Sequence, residues 1–346
     1  MDTNLSEATE TVQCCYEFVN GSCPKAARSN GLRFTMYIFM LLIIVCTLIG
    51  NMLLIISILH FKQLHISTNY LILSLATADF LLGCLVMPYS MVRSVEMCWY
   101  FGQLFCKIHS SSDIMLSTAS ILHLCFISVD RYYAVCDPLR YKIRITFSSV
   151  QMMIIVSWAV SAIFAFGVIF LKLNLKGMDE VYNNNFAYYG NCILIFSEIS
   201  GLVASMVSFY IPGITMLCIY SKIYFVAKKQ VRNINKIASQ IQNIKNSKTR
   251  FAQNNERKAA KTLVLVMGVF LICWSPFFIC NTIGGFVNYS IPPVLIDAFV
   301  WFGYLNSMLN PIIYGFFFSW FRKAVKIICK GQIFQPVSSR MDLSCD

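Results

Sequence analysis

The feature that most limits the possible fold is a series of seven apolar runs, each long enough to cross a bilayer as a helix. The chain has 346 residues, of which 57% are hydrophobic and only 13% are charged. Soluble domains are far more charged, so this composition predicts an all-α membrane protein, a seven-transmembrane helix bundle. The runs cover residues 34–59, 68–92, 103–132, 150–171, 195–226, 260–286 and 294–317.

The remaining sequence divides the chain into three parts. Residues 1–32 form a polar N-terminal tail, 33–317 the membrane domain, and 318–346 a C-terminal segment. In that segment residues 318–330 alternate aromatic and basic side chains at helical spacing, which predicts a short amphipathic eighth helix on the inner membrane surface. The polar, basic stretch 227–256 is expected to be a cytoplasmic loop with helical extensions of its two flanking spans.

The distribution of basic residues predicts the orientation in the membrane. Lys and Arg concentrate after the first, third, fifth and seventh runs, and such loops stay in the cytoplasm. The N-terminus is therefore expected outside the cell and the C-terminus inside, as in a multi-pass plasma-membrane protein. Three glycosylation sequons agree with this topology, because all fall on the predicted outer side: Asn4, Asn20 and Asn288.

Several classes of function are excluded by the sequence. The net charge of +12 does not indicate nucleic-acid binding, because the basic residues do not form a patch with stacking aromatics. The four histidines are scattered, so we expect no metal site. No phosphate-binding loop, dinucleotide fingerprint or nucleophile elbow is present, and we expect neither an enzyme nor a bound cofactor.

The third run carries charges at both of its ends. Asp113 lies near its start and Asp130-Arg131 at its end, and 18 residues of helix between Asp113 and Arg131 span roughly 27 Å. A carboxylate inside a membrane faces the bundle interior and marks a functional site. No Lys or Arg is expected in a neighbouring span, so we interpret Asp113, with Ser117 one turn further along, as the counter-ion of a cationic ligand.

A second acid, Asp79, lies in the second run. Polar residues on other spans are expected to surround it, and both a small cation such as sodium and a plain hydrogen-bond network fit this pattern. The expected members are Asn51, Ser120, Asn306, Ser307 and Asn310.

The sixth run contains Pro276, which is expected to kink the helix and let its halves move. Trp274, Phe277 and Phe278 surround the kink, either as ordinary apolar packing or as an aromatic wall around a cation. Tyr304 in the seventh run is placed to donate its hydroxyl to an acid.

The Asp130-Arg131-Tyr132 sequence at the inner end of the third run has two interpretations. It is either an interfacial charge pair that orients the helix or one half of a lock. In the second case Glu256, at the foot of the sixth run, is a candidate partner for Arg131.

These residues together resemble the landmark set of rhodopsin-like G-protein-coupled receptors. The shared positions are Asn51, Asp79, Asp130-Arg131-Tyr132, Trp158, Pro212, Cys273-Trp274-Ser275-Pro276 and Asn310-Pro311-Ile312-Ile313-Tyr314. Asp113, seven residues after Cys106, resembles the amine-binding aspartate of aminergic receptors. The run 306–321 is similar to the fingerprint of trace amine-associated receptors, and further stretches at 60–65, 98–102, 130–142 and 256–263 agree. The chain most resembles their first-described (type-one) branch, with some N-terminal similarity to the type-four branch.

The resemblance implies a pocket for a protonated monoamine, coupling to a stimulatory heterotrimeric G protein and a rise in cyclic AMP. Ligand contacts are implied at Asp113, Ser117, Trp274, Phe277, Phe278 and Tyr304, with Ser205 and Ser208 where diamine-sensing relatives carry a second acid. The implied switch residues are Asp130, Arg131, Tyr132, Tyr220, Glu256 and Tyr314.

The resemblance also implies a disulfide from Cys106 to Cys192. A second outer-loop cysteine of many relatives is replaced here by Tyr188, which leaves a second disulfide open. Cys23 either stays a thiol or pairs with Cys14, Cys15 or Cys98.

Three other functions are alternatives to this one. A receptor for another biogenic amine has the same landmarks. A transporter usually shows duplicated halves with matched broken helices, which this chain lacks. An intramembrane aspartyl protease would use Asp79 and Asp113 as a pair, but neither acid has the sequence context of such enzymes.

Overall fold

The computed structural model is a bundle of α-helices and describes residues 14–16, 19, 21–23, 28–178, 188–240, 247–287, 290–335 and 337–343. All three glycosylation sequon asparagines, Asn4, Asn20 and Asn288, lie outside these residues. The helices are α1 (Asn30–His60), α2 (Ser67–Leu85), α3 (Met87–Glu96), α4 (Gln103–Cys136), α5 (Pro138–Arg144), α6 (Phe147–Phe170), α7 (Glu198–Ser205), α8 (Ile211–Gln240), α9 (Ser247–Ile283), α10 (Pro293–Phe317) and α11 (Ser319–Cys329).

The helices confirm the predicted seven-span architecture. Six segments of the described chain are long and apolar enough to cross a membrane; they comprise α1, α2, α4, α6, residues 198–226 and residues 264–283 of α9. The seventh predicted run is α10, which is 25 residues long and packs against α9 and α1. The predicted eighth helix is α11, and α8 and α9 extend beyond their apolar runs as expected.

Proline and its neighbours divide two of the spans. The second predicted run breaks at Val86, and Pro88 lies in the first turn of α3, where its missing N–H costs no hydrogen bond. In the fifth span a π-helical turn, Met206–Tyr210, joins α7 to α8 directly before Pro212. Pro276 and Pro311 lie inside α9 and α10. The regular α-helix is therefore interrupted in the second and fifth spans, beside the pocket described below.

The interior of the bundle combines a large apolar core with buried polar side chains, and its outer surface is apolar. Ile155 and Ile163 of α6 are 61% and 75% exposed, as side chains that face lipid are. Inside the bundle, α4 contributes His109 and His123, whose ring nitrogens lie 3.2 Å from the Ser90 hydroxyl and 2.7 Å from the Ser74 hydroxyl. These contacts satisfy buried polar groups where a bilayer offers no water.

Two disulfides lie at one end of the bundle, which we call the disulfide end. Cys106 at the start of α4 is bonded to Cys192, as the resemblance implied. Cys15 is bonded to Cys98, so the tail is tied to the segment between α3 and α4. Backbone hydrogen bonds between residues 21–23 and Tyr189 extend this connection to the segment that carries Cys192.

The opposite end of the bundle is closed by α11 and the chain that follows it. Ala324 and Leu343 pack with Phe61 and Leu64, which lie directly after α1. The Ser338 hydroxyl lies 2.9 Å from a ring nitrogen of His60. These contacts hold the amphipathic helix α11 and the chain after it against the short segment between α1 and α2.

Candidate functional site

A cavity of about 200 Å³ lies within the bundle near the disulfide end. Residues 192–196 cover it, so the Cys106–Cys192 disulfide anchors the cover to α4. The lining combines one acid from the third span with aromatic and small side chains from α7, α9 and α10. Among the lining residues are Asp113, Ser117, Ala204, Ser208, Trp274, Phe277, Phe278 and Val300.

Asp113 is half-buried and its carboxylate accepts two hydrogen bonds. The Tyr304 hydroxyl donates to Oδ2 at 2.7 Å, and the Ser117 hydroxyl donates to Oδ1 at 3.4 Å. Within the described residues, no Lys or Arg forms an ion pair with Asp113. A carboxylate in this position provides the negative charge that a cationic ligand requires.

Aromatic rings form one side of the cavity. Phe278 stacks on Phe209 with ring centroids 4.7 Å apart, and Trp274 makes edge-to-face contacts with Phe277 and Tyr304. A Cβ added at Gly303 would lie 2.7 Å from the Trp274 ring, so only glycine fits beside it. Because Tyr304 also bonds Asp113, the acid is connected through two side chains to the Pro276 region of α9.

Of the two serines named in the fifth span, only Ser208 lines the cavity. Ser205 is fully buried and accepts a 3.0 Å hydrogen bond from the Asn281 amide nitrogen, so it joins α7 to α9. Tyr304 is not among the cavity-lining residues, but its hydroxyl donates to Asp113, which is. The sequence therefore identified the residue types but not which face of the fifth span turns inward.

The expectation that no Lys or Arg lies in a span beside Asp113 was wrong. Arg93 follows the predicted second run (68–92) directly, and it belongs to α3 and lines the same cavity as Asp113. Its guanidinium lies 3.1 Å from the carboxylate of Asp297 on α10, and this pair was not anticipated. The predicted run ends at residue 92, four residues before the end of α3 at Glu96, because apolar length alone does not show that the helix continues through a charged residue.

The Asp79 carboxylate is fully buried between three spans. Ser120 and Ser307 donate to Oδ1 at 2.9 and 2.8 Å, and Asn310 donates to Oδ2 at 2.8 Å. Asn51 donates instead to the backbone carbonyl of Ser307 at 3.0 Å. The side-chain oxygens of three buried amides have no hydrogen-bond donor among the described residues; they belong to Asn51, Asn306 and Asn310.

At the opposite end of α4, Asp130 is fully buried and Arg131 pairs with it. Thr68 and Tyr141 also donate to the Asp130 carboxylate, at 3.0 Å each. Burial and the nearby Asp130 charge raise the pKa of Tyr141, so its phenol stays protonated and able to donate. Thr68 and Tyr141 were not anticipated, because their roles depend on the packing of α2 and α5.

The other residues named for this end are placed as follows. Tyr220 and Tyr314 are buried, and Tyr132 is half-buried with its ring against Tyr133. The side chain of Glu256 lies outside the described part of the chain. The proposed link from Arg131 to Glu256 therefore stays a prediction, while the contact of Arg131 with Asp130 is present.

A seven-helix membrane bundle with an acidic, aromatic-lined cavity at one end and a paired arginine at the other has the form of a transmembrane receptor. The family model described as "7 transmembrane receptor (rhodopsin family)" matches residues 50–314. The chain is 59% identical over 329 residues to trace amine-associated receptor 1 of Macaca mulatta and 57% to that of Homo sapiens, covering 95% of this chain and 97% of each relative.

Trace amine-associated receptor 4 of Mus musculus is 49% identical over 343 residues, which is 99% of both chains. The chain belongs to the trace amine-associated receptors, a group of G-protein-coupled receptors within the rhodopsin family. The members of this family are multi-pass membrane receptors, so the interpretations as a transporter or a protease are set aside.

Proposed function

We propose that this receptor is activated by small protonated primary monoamines and raises cyclic AMP through a stimulatory G protein. The observation that carries the proposal is the Asp113 carboxylate, which lines the cavity and has no ion-pair partner among the described residues. A ligand ammonium group supplies the missing positive charge. The printed names of the relatives, which refer to trace amines, support the same class of ligand.

The cavity chemistry suits a small amine with an apolar body. Asp113 and Ser117 lie on one side of the cavity, and the Trp274, Phe277 and Phe278 rings lie on another. Aromatic faces attract cations and also bury apolar surface, so the same rings receive an ammonium group and an aryl or alkyl chain. A volume of about 200 Å³ favours a small molecule over a peptide. A receptor for another biogenic amine is the alternative, and a panel of amines separates the two.

In this proposal the disulfide end faces the extracellular side, because disulfides form in oxidising compartments. Residues 1–32 are then an extracellular tail that carries glycans at Asn4 and Asn20, and Asn288 lies in an extracellular loop. Residues 33–317 are the receptor domain, and 318–346 are the cytoplasmic helix and tail. Arg131 faces the G-protein side.

Activation requires the amine to bind the active state more tightly than the resting state. We infer that ligand contacts with Tyr304 and Trp274 favour a different angle at Pro276, which moves the G-protein end of α9 outward. Arg131 then leaves Asp130, or Glu256, and becomes available to the G protein. Three tyrosines near the Arg131 end of the bundle are proposed to stabilise the state in which α9 has moved outward: Tyr132, Tyr220 and Tyr314.

A sodium ion at Asp79 is the second part of the proposal. The residues fit such an ion, because a carboxylate and buried amide oxygens without donors are the ligands that a hard cation prefers. Bound there, sodium would add positive charge between α2, α4 and α10 and stabilise one arrangement of these helices. Agonist affinity should then depend on sodium in the wild-type receptor and not in Asp79→Asn.

The direct test is cyclic AMP in cells that express the receptor, measured against primary monoamines, other biogenic amines and neutral isosteres in which a hydroxyl replaces the amine. A monoamine should raise cyclic AMP in wild type and not in Asp113→Ala at equal surface expression. Asp113→Glu, which keeps the charge, should retain part of the response. Equal responses of wild type and Asp113→Ala would overturn the proposed role of this acid.

A further inference from the structure

In the part of the chain that the structure describes, three charged side chains line the cavity rather than one. Asp113 of α4, Arg93 of α3 and Asp297 of α10 all line it. Arg93 and Asp297 form an ion pair at 3.1 Å, and their side chains are 18% and 22% exposed. The charges of Arg93 and Asp297 cancel, so the described cavity residues keep a single net negative charge, that of Asp113.

A neighbouring hydrogen bond, between Trp301 and Ser94, helps to hold Arg93 and Asp297 beside each other. Trp301, one turn after Asp297 on α10, donates its indole N–H to the hydroxyl of Ser94 at 2.9 Å. Ser94 follows Arg93 directly on α3. The ends of α3 and α10 are therefore joined twice at this level of the cavity. An ion pair held in this geometry keeps more of its interaction energy than a freely moving surface pair.

We propose that the Arg93–Asp297 pair determines specificity by excluding diamines from the pocket. This inference rests on the proposed function and names a basis for its preference for one ammonium group. When the first ammonium of a diamine pairs with Asp113, the second meets Arg93, which repels it, and finds Asp297 already paired. Specificity that comes from a repulsive element of this kind is common in binding sites.

The charges of Asp113, Arg93 and Asp297 predict a different result for each variant. Arg93→Gln leaves Asp297 unpaired, so the cavity carries two negative charges and accepts a second ammonium. Asp297→Asn leaves Arg93 unpaired, so the cavity has no net charge. The double variant restores one net negative charge without the pair. Arg93→Lys keeps the positive charge and should keep the preference for monoamines.

The experiment compares each variant with wild type for a set of monoamines and linear α,ω-diamines of matched length, at equal surface expression. Arg93→Gln should shift the ratio of diamine to monoamine potency towards diamines by about tenfold or more. Asp297→Asn should lower the potency of monoamines by about tenfold. Both values are those expected for one charge interaction near the surface of a protein. The double variant should recover near wild-type monoamine potency. If the pair serves only to join α3 to α10, Arg93→Gln, Asp297→Asn and the double variant will each lower the potency of monoamines and diamines by the same factor. The ratio of the two potencies will then equal that of wild type, and this result overturns the proposal.

A second measurement separates this inference from the proposed function. Purified Arg93→Gln receptor should be thermally stabilised by a diamine that does not stabilise wild type, and this readout does not depend on G-protein coupling. Stabilisation of Arg93→Gln alone supports the role of the pair even where wild type raises no cyclic AMP. Equal diamine stabilisation of both proteins, or of neither, contradicts it.

Discussion

The Tyr304 hydroxyl donates a 2.7 Å hydrogen bond to the carboxylate of Asp113 and so joins α10 to α4 inside the bundle. Tyr304 is fully buried, and its ring meets Trp274 edge to face at 6.5 Å between centroids. The acid that we propose binds the ligand is thus one side chain away from the aromatic residue beside Pro276. We expect a change in the ionic partner of Asp113 to reach Trp274, two residues before Pro276 in α9, through Tyr304.

Replacing Tyr304 by phenylalanine should lower monoamine potency by about tenfold, because a hydrogen bond to a charged group contributes roughly 1.5–3 kcal/mol and orients the carboxylate. The measurement is a concentration–response curve at matched surface expression. Tyr304→Phe combined with Asp113→Asn should be no worse than Asp113→Asn alone, since the hydroxyl then has no charged partner. Additive losses in the double variant would show that Tyr304 acts independently of Asp113.

Gly303 is predicted to be the position where the smallest change disturbs Trp274. The added methyl group of Gly303→Ala would lie 2.7 Å from ring carbons, so the ring must move, and overpacking of this kind costs about 1–3 kcal/mol. We expect a lower melting temperature and altered basal signalling. Gly268→Ala in α9 is the matched control, because no atom lies within 4 Å of its new Cβ. A similar loss in both variants would contradict a specific role of the Gly303–Trp274 contact.

Thr68 and Tyr141 should restrain the receptor in its resting state. Both donate to Asp130, which holds Arg131, and removal of either donor leaves the buried carboxylate less well satisfied. Thr68→Val and Tyr141→Phe should therefore raise ligand-independent G-protein activation several-fold. Because the pKa of Tyr141 is raised, its phenol remains protonated through the physiological range and this restraint should not weaken between pH 6 and 8. Unchanged basal activity in both variants would argue against it.

The Cys15–Cys98 disulfide should stabilise the receptor without being needed for its fold. It closes a loop between residues 83 positions apart, so its removal is expected to cost about 2–4 kcal/mol through the unfolded state. Cys15→Ser should show a lower melting temperature than wild type in detergent. Cys218→Ser, at an exposed thiol of α8, should not differ from wild type. Identical melting temperatures of wild type, Cys15→Ser and Cys218→Ser would show that the disulfide does not stabilise the receptor.

The seven spans and the eighth helix follow from the sequence, because apolar length and amphipathic spacing determine them locally. The breaks inside spans were harder to place. Pro88 predicts a helix start, but whether the chain bends or ends at Val86 depends on packing against α1 and α4. That uncertainty of a few residues was enough to leave Arg93 outside the cavity.

Pairing between distant residues was the least predictable part. Asp113 and Tyr304 were each named from their chemistry, but Asp297 and Tyr141 were not, since neither carries a local signal of its partner. The choice of Cys98 as the partner of Cys15 depends on how the tail crosses the loop at Trp99 and Tyr189. Such contacts are decided by the assembled bundle rather than by any stretch of sequence.

The most direct test of the central claim is the equilibrium affinity of a radiolabelled primary monoamine for membranes containing wild-type or Asp113→Asn receptor. The substitution keeps the shape of the side chain and removes only its charge. Loss of one partner of a charge pair inside a protein costs roughly 2–5 kcal/mol, so affinity should fall by about 30-fold or more. Equal affinity in the two proteins, at equal amounts of folded receptor, would show that Asp113 is not the counter-ion of the amine.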